Sequence, residues 1–388
     1  MDEIHLIIIW NKALNKKEKI FNDLNSKFKI LNQYLVSWSR SQFSENLSRF
    51  YGENLPKNSN KEKHCGIGSF CCIIVKDNNP IYNYRKTSKG NKIVNINLFD
   101  LKKKYRKWTG GGHKIHATDN IFESKLQLAI LFGKSYTSFL ENKLEKNTTE
   151  LVNYKNDLQG SKGWDNFFQL FSILNECLDY VVLRNFNNIE KQLNSLHPDI
   201  DLLVNDKNLA ARILNGKTTF SNKNRVQYLV KVCGKNINFD LRSISDNYYC
   251  EKWQRKILLG KRNFNGFFIP SKQDYFYSLL YHALIHKRSL SIDYTNQLII
   301  LSKDIGLNLS KKDLIESLPL KILINYLDIK NYEIVAPNDL SVYFNYGILT
   351  RSSNIELSLR RKRRIFYLKI RTRMRKILNK LKKSERYN

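Results

Sequence analysis

The chain has 388 residues, and its 66 Lys and Arg against 35 Asp and Glu give it a formal charge of +31. A hydrophobic content of 42% with 21 Tyr, 21 Phe and 5 Trp excludes an intrinsically disordered chain, and only 6 Pro and 16 Gly exclude collagen-like or linker-like sequence. A charge this large predicts an anionic partner, which is a nucleic acid, an anionic membrane or a phosphorylated substrate.

Apolar periodicity and turn signals predict the elements of the first part of the chain. In chain order they are a strand at 5–10, a helix at 17–28, a strand at 30–38, a helix at 44–51, a strand at 69–76 and a helix at 121–132. Ser44 is the expected N-cap of the second helix, and Thr118 or Asp119 that of the third. The stretch between the turn at 77–80 and Gly112 is polar and basic. We predict a first domain over residues 1–140 and a polar linker over 141–163.

The second part of the chain predicts a small sheet followed by helices. In chain order the elements are a helix at 167–177, strands at 180–183 and 200–204, a helix at 207–214, a hairpin of 226–233 and 236–244, and helices at 271–286, 291–304, 310–318 and 319–327. The hairpin is indicated by Gly234-Lys235 between two apolar runs. We predict a core domain over 164–265, a helical cap over 266–350 and a basic tail over 351–388.

Cysteine usage and the N-terminal residues predict a cytoplasmic protein. The six cysteines form no C-x-x-C pair, and residues 2–9 combine two acids with an apolar run too short for a signal peptide. No stretch of the sequence approaches the ~18 apolar residues that a membrane-spanning helix needs. We therefore expect reduced thiols and no structural zinc.

The tail is the most basic part of the chain, with 15 Lys and Arg against two Glu over residues 351–388. One helical face is apolar and consists of Ile370, Met374, Ile377, Leu378 and Leu381, while basic residues fill the rest. A basic amphipathic helix is typical of attachment to an anionic membrane surface, which we expect of residues 360–388. A solvated helix packed on the body and a nucleic-acid-binding tail are the alternatives.

Three aspartates form the first candidate site. Asp199 and Asp201 lie two apart on a predicted strand, so their side chains share a face, and Asp240 lies on the second arm of the predicted hairpin. If that arm neighbours the first strand, the three carboxylates converge and repel one another unless a hard cation such as Mg²⁺ or Mn²⁺ lies between them. The alternative is that all three are exposed at strand ends.

The elements around these aspartates resemble the nucleotidyltransferase superfamily over about residues 165–300. That resemblance implies that Asp199 and Asp201 hold the metal, and that Asp240 holds metal or acts as a base toward an acceptor hydroxyl. Arg184 and Asn185 stand where the superfamily usually has Gly-Ser, and both are expected to contact phosphate, Arg184 through its charged guanidinium. The resemblance extends to choline-phosphate and fukutin-related ribitol-phosphate transferases, which move a phospho-alcohol from a CDP-linked donor to a glycan.

The predicted cap contributes a possible pair of metal ligands. His282 and His286 are four apart on the helix predicted at 271–286. That spacing suits two ligands of one metal, but no H-E-x-x-H glutamate accompanies them. Histidines in this arrangement more often face a core or an interface.

Residues 108–120, WTGGGHKIHATDN, form the second candidate site. The Gly110–Gly112 run permits unusual backbone dihedrals and close approach of a ligand. His113 and His116 precede a predicted helix, where exposed amides favour phosphate. A neutral histidine in such a place can attack phosphorus.

This second motif resembles the active-site block of nucleoside diphosphate kinases, N-x-x-H-G-S-D-S-x-E followed by an amphipathic helix. The similarity spans about residues 4–135 and implies a ferredoxin-like domain. It places His116 where the phosphate-accepting histidine stands and His113 in place of the Asn, with Arg85 and Arg106 as candidate phosphate contacts. Phosphoryl transfer through His116, binding of a nucleotide or sugar phosphate, and a scaffold role remain alternatives.

Together these features predict an α+β protein with a nucleoside diphosphate kinase-like, ferredoxin-like domain, a nucleotidyltransferase-like domain, a helical C-terminal part and a basic amphipathic tail. We expect a metal-dependent transferase that moves a phospho-sugar or phospho-polyol from a nucleotide-activated donor to a cell-surface glycan precursor, at the inner face of the plasma membrane. The alternatives are a nucleotidyltransferase acting on a small molecule, a protein or an RNA end, and a non-catalytic nucleic-acid-binding protein. The sequence predicts no oligomeric state.

Overall fold

The computed structural model of the protein describes residues 2–345 except 88–89, 142–149, 197, 221–224 and 316–317, together with Gly347 and Phe366. The predicted amphipathic helix around residues 370–381 therefore lies outside the described residues. The chain has an α+β fold with two five-stranded sheets and two short hairpins in this described part. No helix within the described residues is long and apolar enough to span a bilayer.

The first sheet is formed by strands from residues 3–154. The elements of this region, in chain order, are β1 (Glu3–Ile9), α1 (Lys17–Asn25), β2 (Lys29–Val36), α2 (Phe43–Tyr51), α3 (Asn60–Cys65), β3 (Phe70–Asp77), β4 (Tyr82–Thr87), β5 (Gly90–Asn95), α4 (Ile96–Trp108), β6 (Ile115–Ala117), α5 (Ile121–Phe132), α6 (Tyr136–Glu141) and β7 (Leu151–Tyr154). The sheet order is β6-β1-β3-β2-β7. The pairs β6–β1, β1–β3 and β3–β2 are antiparallel, whereas β2 and β7 are parallel.

The apolar sequence of β1 suits a central strand that is covered on both faces. Ile4, Leu6 and Ile8 point into one hydrophobic core, whereas Ile7 and Ile9 point into a second core on the other face. A strand that is buried on both sides has a continuous apolar run in place of alternation with polar residues.

The second sheet lies in residues 180–243 and is followed by helices. The elements of this region, in chain order, are α7 (Phe167–Cys177), β8 (Tyr180–Val182), β9 (Asp199–Val204), α8 (Lys207–Leu214), β10 (Lys217–Thr218), β11 (Gln227–Val232), β12 (Lys235–Ser243), α9 (Glu251–Leu259), β13 (Arg262–Phe264), β14 (Phe267–Ile269), α10 (Lys272–Ile285), α11 (Ile292–Asp304), α12 (Lys311–Ile315) and α13 (Leu318–Lys330). The sheet order is β10-β11-β12-β9-β8, and the central pair β9 and β12 is parallel.

One hydrophobic core contains residues from both sheets, including Leu6 of β1 and Leu202 of β9. The described part of the predicted linker 141–163 contributes β7 to the first sheet. Trp164 follows it and donates a hydrogen bond from Nε1 to the carbonyl of Leu214, 2.9 Å away. The two sheets are therefore joined by packing, while the predicted domain boundaries stay a prediction.

Two capping predictions are wrong. Helix α2 begins at Phe43, so Ser44 lies inside the helix. The N-cap position is occupied by Gln42, whose side chain makes no capping hydrogen bond. Helix α5 begins at Ile121 as predicted, but Asn120 is its cap, accepting a hydrogen bond from the amide of Glu123 at 2.8 Å. A side chain one residue nearer to the helix than Asp119 reaches the free amide of the first turn.

The polar, basic stretch before Gly112 contains structure that the sequence did not predict. It holds the β4–β5 hairpin and α4, whose N-cap Asn95 accepts hydrogen bonds from the amides of Asn97 and Leu98. The hairpin strands are mostly exposed, so their sequences lack the buried alternation that marks a strand.

Candidate active site

The pairing of β9 with β12 brings the three predicted aspartates together. The two strands run parallel, and Asp240 is the register partner of Asp201, while Asn238 is that of Asp199. Register partners in neighbouring strands share a face, as do residues two apart in one strand. All three carboxylates therefore lie on the same face of the second sheet.

Asp199 carries the clearest electrostatic signature of this proximity. Burial, with added repulsion from Asp201 and Asp240, raises the pKa of the Asp199 carboxyl to about 7 from its usual 3.8. Burial likewise raises the pKa of Asp240, although Arg242 opposes the shift. Within the described residues, Asp199 Oδ1 is buried and accepts no hydrogen bond. A buried carboxylate without a partner calls for a proton or a cation.

Two buried arginines pair with the other two carboxylates. Arg184 Nη2 lies 2.7 Å from Asp201 Oδ1, and Arg242 Nη2 lies 2.8 Å from Asp240 Oδ2. Both arginines are only 5% exposed. Arg242 also reaches toward the C-terminal segment, where Asp339 Oδ2 lies 3.9 Å from its Nη1. The site therefore contains buried aspartates and buried arginines in direct contact with one another.

Tyr248 connects these arginines to the helices of the predicted cap. Its hydroxyl accepts a hydrogen bond from Arg184 Nη2 at 3.2 Å and lies 2.6 Å from His282 Nδ1. The guanidinium of Arg242 lies 4.3 Å from the centre of the Tyr248 ring. The other ring nitrogen of His282, Nε2, lies 3.2 Å from the hydroxyl of Tyr294.

His282 is held between the hydroxyl groups of Tyr248 and Tyr294. Burial, reinforced by the charge of Arg184, lowers its pKa well below the usual value, so the imidazole is neutral. Both of its ring nitrogens face tyrosine hydroxyls, and it links α10 and α11 to the carboxylate site. The alternative of a His282–His286 metal pair has no support from these contacts.

The carboxylates have the donor chemistry of a magnesium or manganese site, but their side chains are turned toward the arginines. Among the described residues, no group of three or more His, Cys, Asp or Glu side chains is arranged to hold a metal ion. Carboxylate oxygens suit hard divalent cations, and the orphaned Asp199 Oδ1 supplies one such ligand. Asp201 and Asp240 each spend one carboxylate oxygen on an arginine, so a cation bound to either aspartate would share it with a positively charged neighbour.

The loop after β8 places its two predicted phosphate-binding residues differently. Arg184 lies in the carboxylate site, whereas Asn185 is exposed and has a left-handed backbone with φ of 59°. Asparagine tolerates that conformation better than most residues. Sequence reasoning missed Arg242, although its place two residues after Asp240 on one strand predicts that both share a face. Nothing in the sequence marks Tyr248.

His116 lies apart from the carboxylates, on the edge strand β6 of the first sheet. It is 5% exposed, and its Nε2 lies 2.8 Å from Gln127 Oε1. The rings of Phe50 and Tyr51 contact it edge-on, each with a centroid distance of 5.3 Å. Burial, together with the nearby charge of Lys102, lowers its pKa to about 3, so the imidazole is neutral at physiological pH.

Of the other predicted residues of this second site, Arg106 adds positive charge close to His116. Arg106 donates from Nε to the carbonyl of Ile115 at 3.0 Å, which places it beside β6. His113 is half-buried, and its ring centre lies 5.6 Å from that of His64. Burial and the charges of Lys61 and Arg106 lower the pKa of His113.

The glycine run adopts the unusual dihedrals that the sequence predicts. Gly110, Gly111 and Gly112 have φ values of 74°, 79° and 74°. A Cβ at Gly112 would lie 3.0 Å from Nδ1 of His64, so this glycine also permits a close approach of the imidazole. The run thus shapes the turn that leads from α4 into β6.

Arg85 is engaged away from His116. It lies on the exposed β4–β5 hairpin and pairs with Asp100 of α4 through two hydrogen bonds, of 3.2 and 2.8 Å. Its remaining described hydrogen bond goes to the carbonyl of Tyr84. The structure thus brings Arg106 and His113, but not Arg85, to the surroundings of His116.

Comparisons with known proteins assign neither a family nor a function to the chain. No protein-family model matches the chain, and neither a curated protein nor a solved structure is significantly similar to it.

Proposed function

We propose that the protein is a metal-dependent transferase that moves a phosphorus-linked group at the site formed by Asp199, Asp201 and Asp240. The observation that carries this proposal is the register of β9 and β12, which sets Asp240 opposite Asp201 on one sheet face. Burial raises the pKa of Asp199, and repulsion from Asp201 and Asp240 adds to the rise; a divalent cation would relieve that repulsion, which supports the same proposal.

The residues of the site supply the remaining requirements of such a reaction. Asp199, Asp201 and Asp240 would hold Mg²⁺ or Mn²⁺, which when bound polarises a phosphoryl oxygen and stabilises negative charge. Arg184 lies beside the carboxylates with a guanidinium suited to phosphate oxygens. Asp240 alternatively accepts the proton of the acceptor hydroxyl.

For the substrates, we propose a nucleotide-activated phospho-sugar or phospho-polyol as donor and a glycan precursor at the cytoplasmic face of the membrane as acceptor. This part rests on the resemblance to choline-phosphate and ribitol-phosphate transferases and on the basic sequence of residues 360–388. Replacement of the usual Gly-Ser by Arg184-Asn185 makes ordinary nucleotidyl transfer the second choice.

For the first domain we propose binding of a nucleotide or sugar phosphate near His116. The strand order β6-β1-β3-β2 with antiparallel neighbours supports the expected ferredoxin-like topology. The charge of Arg106 near a neutral His116 favours an anionic ligand, whereas Lys102 is already paired with Asp119. Phosphoryl transfer through His116 is tested by incubation with labelled nucleotide: an acid-labile label that His116→Ala removes would replace the binding proposal.

The main proposal is tested by donor turnover. The purified chain is incubated with CDP-linked and UDP-linked donors and with nucleoside triphosphates, with and without Mg²⁺. We expect Mg²⁺-dependent turnover of one donor class, abolished by Asp199→Asn and by Asp201→Asn. Asp328→Asn, at an exposed position of α13, is the matched control and keeps full activity. Full activity in both site variants would refute the proposal, and turnover of a triphosphate alone would favour the nucleotidyltransferase.

A further inference from the structure

Arg184 and Arg242 hold hydrogen-bond donors that the protein leaves unused. Each arginine spends Nη2 on an aspartate, but in the described part of the chain Arg184 Nη1 and Arg242 Nε and Nη1 are buried and have no hydrogen-bond acceptor. Asp339 Oδ2 lies 3.9 Å from Arg242 Nη1, which is an ionic contact and too long for a hydrogen bond. Leaving guanidinium N–H groups without acceptors inside a protein costs free energy. Such groups point to an acceptor-rich ligand that is not part of the chain.

The two arginines also lie close enough to act together. Arg242 follows Asp240 by two residues on β12, so both side chains leave the same face of the sheet. Their guanidinium carbons lie 4.3 Å (Arg242) and 5.7 Å (Arg184) from the centre of one ring, that of Tyr248. Contact of both cations with one aromatic ring fixes their positions and leaves their planar edges for hydrogen bonding.

The ligand that suits these donors is a phosphate group. A phosphate offers acceptor oxygens in several directions and a negative charge, which matches two guanidinium forks. The same arginines are bonded to Asp201 and Asp240, which the proposed metal would need as ligands. Because a guanidinium and a metal ion are both positive and repel each other, they compete for the negative charge of the same carboxylate.

We propose that Arg184 and Arg242 form a phosphate-binding pair that holds Asp201 and Asp240 in place of a metal until the phosphate of the donor binds. This inference rests on the proposed function, because it concerns the same carboxylates. Phosphate draws the guanidinium groups away from the aspartates, and the freed carboxylates then turn to the cation. The affinity for metal and the affinity for phosphate consequently reinforce each other, by the same factor in both directions.

The test measures Mn²⁺ binding to the purified full chain by electron paramagnetic resonance, with and without inorganic phosphate as the probe. We expect phosphate to strengthen Mn²⁺ binding about tenfold or more. Phosphate also binds some Mn²⁺ in solution, so the effect of phosphate is compared between proteins measured under the same conditions. The reference variant is Arg255→Met, because Arg255 forms only an exposed pair with Glu251. In this variant, phosphate must strengthen Mn²⁺ binding by the same factor as in the wild type.

Substitution of Arg242 by Met is expected to change the affinities for Mn²⁺ and for phosphate in opposite directions. Arg242→Met removes the cation that competes for Asp240, so Mn²⁺ alone binds several-fold tighter while phosphate binding and the coupling are lost. A structural role for Arg242 would not tighten metal binding. Arg242→Lys, which keeps the charge without the fork, weakens phosphate binding and leaves the affinity for Mn²⁺ alone near that of the wild type.

The outcomes separate this inference from the proposed function. Mn²⁺ binding that depends on Asp199 and Asp201 but is unchanged by phosphate and by both arginine variants would overturn the phosphate-binding pair and leave the metal site intact. Mn²⁺ binding that is equal in Asp199→Asn, Asp201→Asn and the wild type would overturn the metal site itself.

Discussion

Arg49 and Arg212 each bind the end of the helix that carries the other. Arg49 of α2 donates from Nε to the carbonyl of Arg212 at 3.2 Å and from Nη2 to that of Ile213 at 2.9 Å. Arg212 of α8 donates in return to the carbonyls of Arg49 and Phe50. Cations at helix C-termini satisfy the last carbonyls and complement the helix dipole.

This exchange joins the surroundings of the two candidate sites. Helix α2 carries Phe50 against His116, and α8 directly follows the strand that holds Asp199 and Asp201. Gly52, with φ of 64°, leaves the room that the Arg212 guanidinium occupies. Hydrogen bonds between α2 and α8 therefore join an element next to one site to an element next to the other.

Removing this link is expected to destabilise the whole chain. Arg212→Ala deletes two part-buried, charge-assisted hydrogen bonds, and we predict a loss of about 2–4 kcal/mol in the free energy of unfolding. Urea denaturation followed by tryptophan fluorescence measures it. Arg255→Ala, which removes only an exposed pair with Glu251, is the control and changes stability by less than about 0.5 kcal/mol. Equal effects of the two substitutions would contradict the link.

The ionised carboxylate of Asp199 is expected to lower the free energy of unfolding above pH 7. Its pKa is raised from 3.8 to about 7, so the folded state binds a proton more tightly than the unfolded state, and stability falls as the pH rises between these values. Asp199→Asn therefore stabilises the protein at pH 8, by about 1–3 kcal/mol, with no gain near pH 3. Urea midpoints of both proteins across this range measure the difference. A loss of stability at pH 8 would show that the carboxylate is favourably paired.

His116 is expected to make the fold sensitive to acid. Its pKa is lowered from 6.5 to about 3, so the unfolded state binds the proton more readily, and the stability that His116 contributes above pH 6.5 is lost as the pH falls toward 3. In NMR spectra of the histidine side chains, the His116 signal should not titrate between about pH 5 and pH 8. His116→Gln should flatten the pH dependence of stability. A His116 signal that titrates near its usual pKa would contradict the buried, neutral ring.

Tyr248 is expected to position the arginines through its hydroxyl. Tyr248→Phe keeps the ring beside Arg242 but removes the oxygen that contacts Arg184 and His282. We predict a loss of about 1–3 kcal/mol in stability together with a higher KM for the donor, since Arg184 loses its second contact. Tyr343→Phe serves as the comparison, because its ring contact with Arg288 lies outside the carboxylate site. An unchanged KM would limit Tyr248 to packing.

The amphipathic sequence at the C-terminus leads to a prediction about membranes. Deletion of residues 360–388 should abolish sedimentation with vesicles that contain anionic lipid, because the basic residues of this segment supply the attraction. Vesicles of neutral lipid should bind neither protein, and added salt should release the full chain. Unchanged sedimentation of the shortened chain would place the membrane contact elsewhere.

Periodicity was sufficient to predict much of the fold. Helices 121–132, 167–177 and 207–214 have the predicted bounds, because each combines an apolar face with a clear start or stop signal. The β4–β5 hairpin and α4 could not be found in this way. Their stability depends on long-range packing and caps, which a polar and basic sequence does not reveal.

Part of the candidate site could also be predicted from the sequence, and part of it could not. The alignment of Asp201 with Asp240 follows from strand alternation once the hairpin is placed beside β9. The pairing of both aspartates with arginines does not, because a side-chain rotamer depends on neighbours that are distant in sequence. Arg184 reaches Asp201 from the loop after β8, and only the fold brings these two residues together.

The most direct measurement is anomalous diffraction from crystals of the protein soaked with Mn²⁺ and inorganic phosphate. The account predicts one strong Mn²⁺ peak bonded to carboxylate oxygens of Asp199, Asp201 and Asp240, with phosphate against Arg184 and Arg242. Mn²⁺ found only at other positions, with both aspartate–arginine pairs intact, would contradict it.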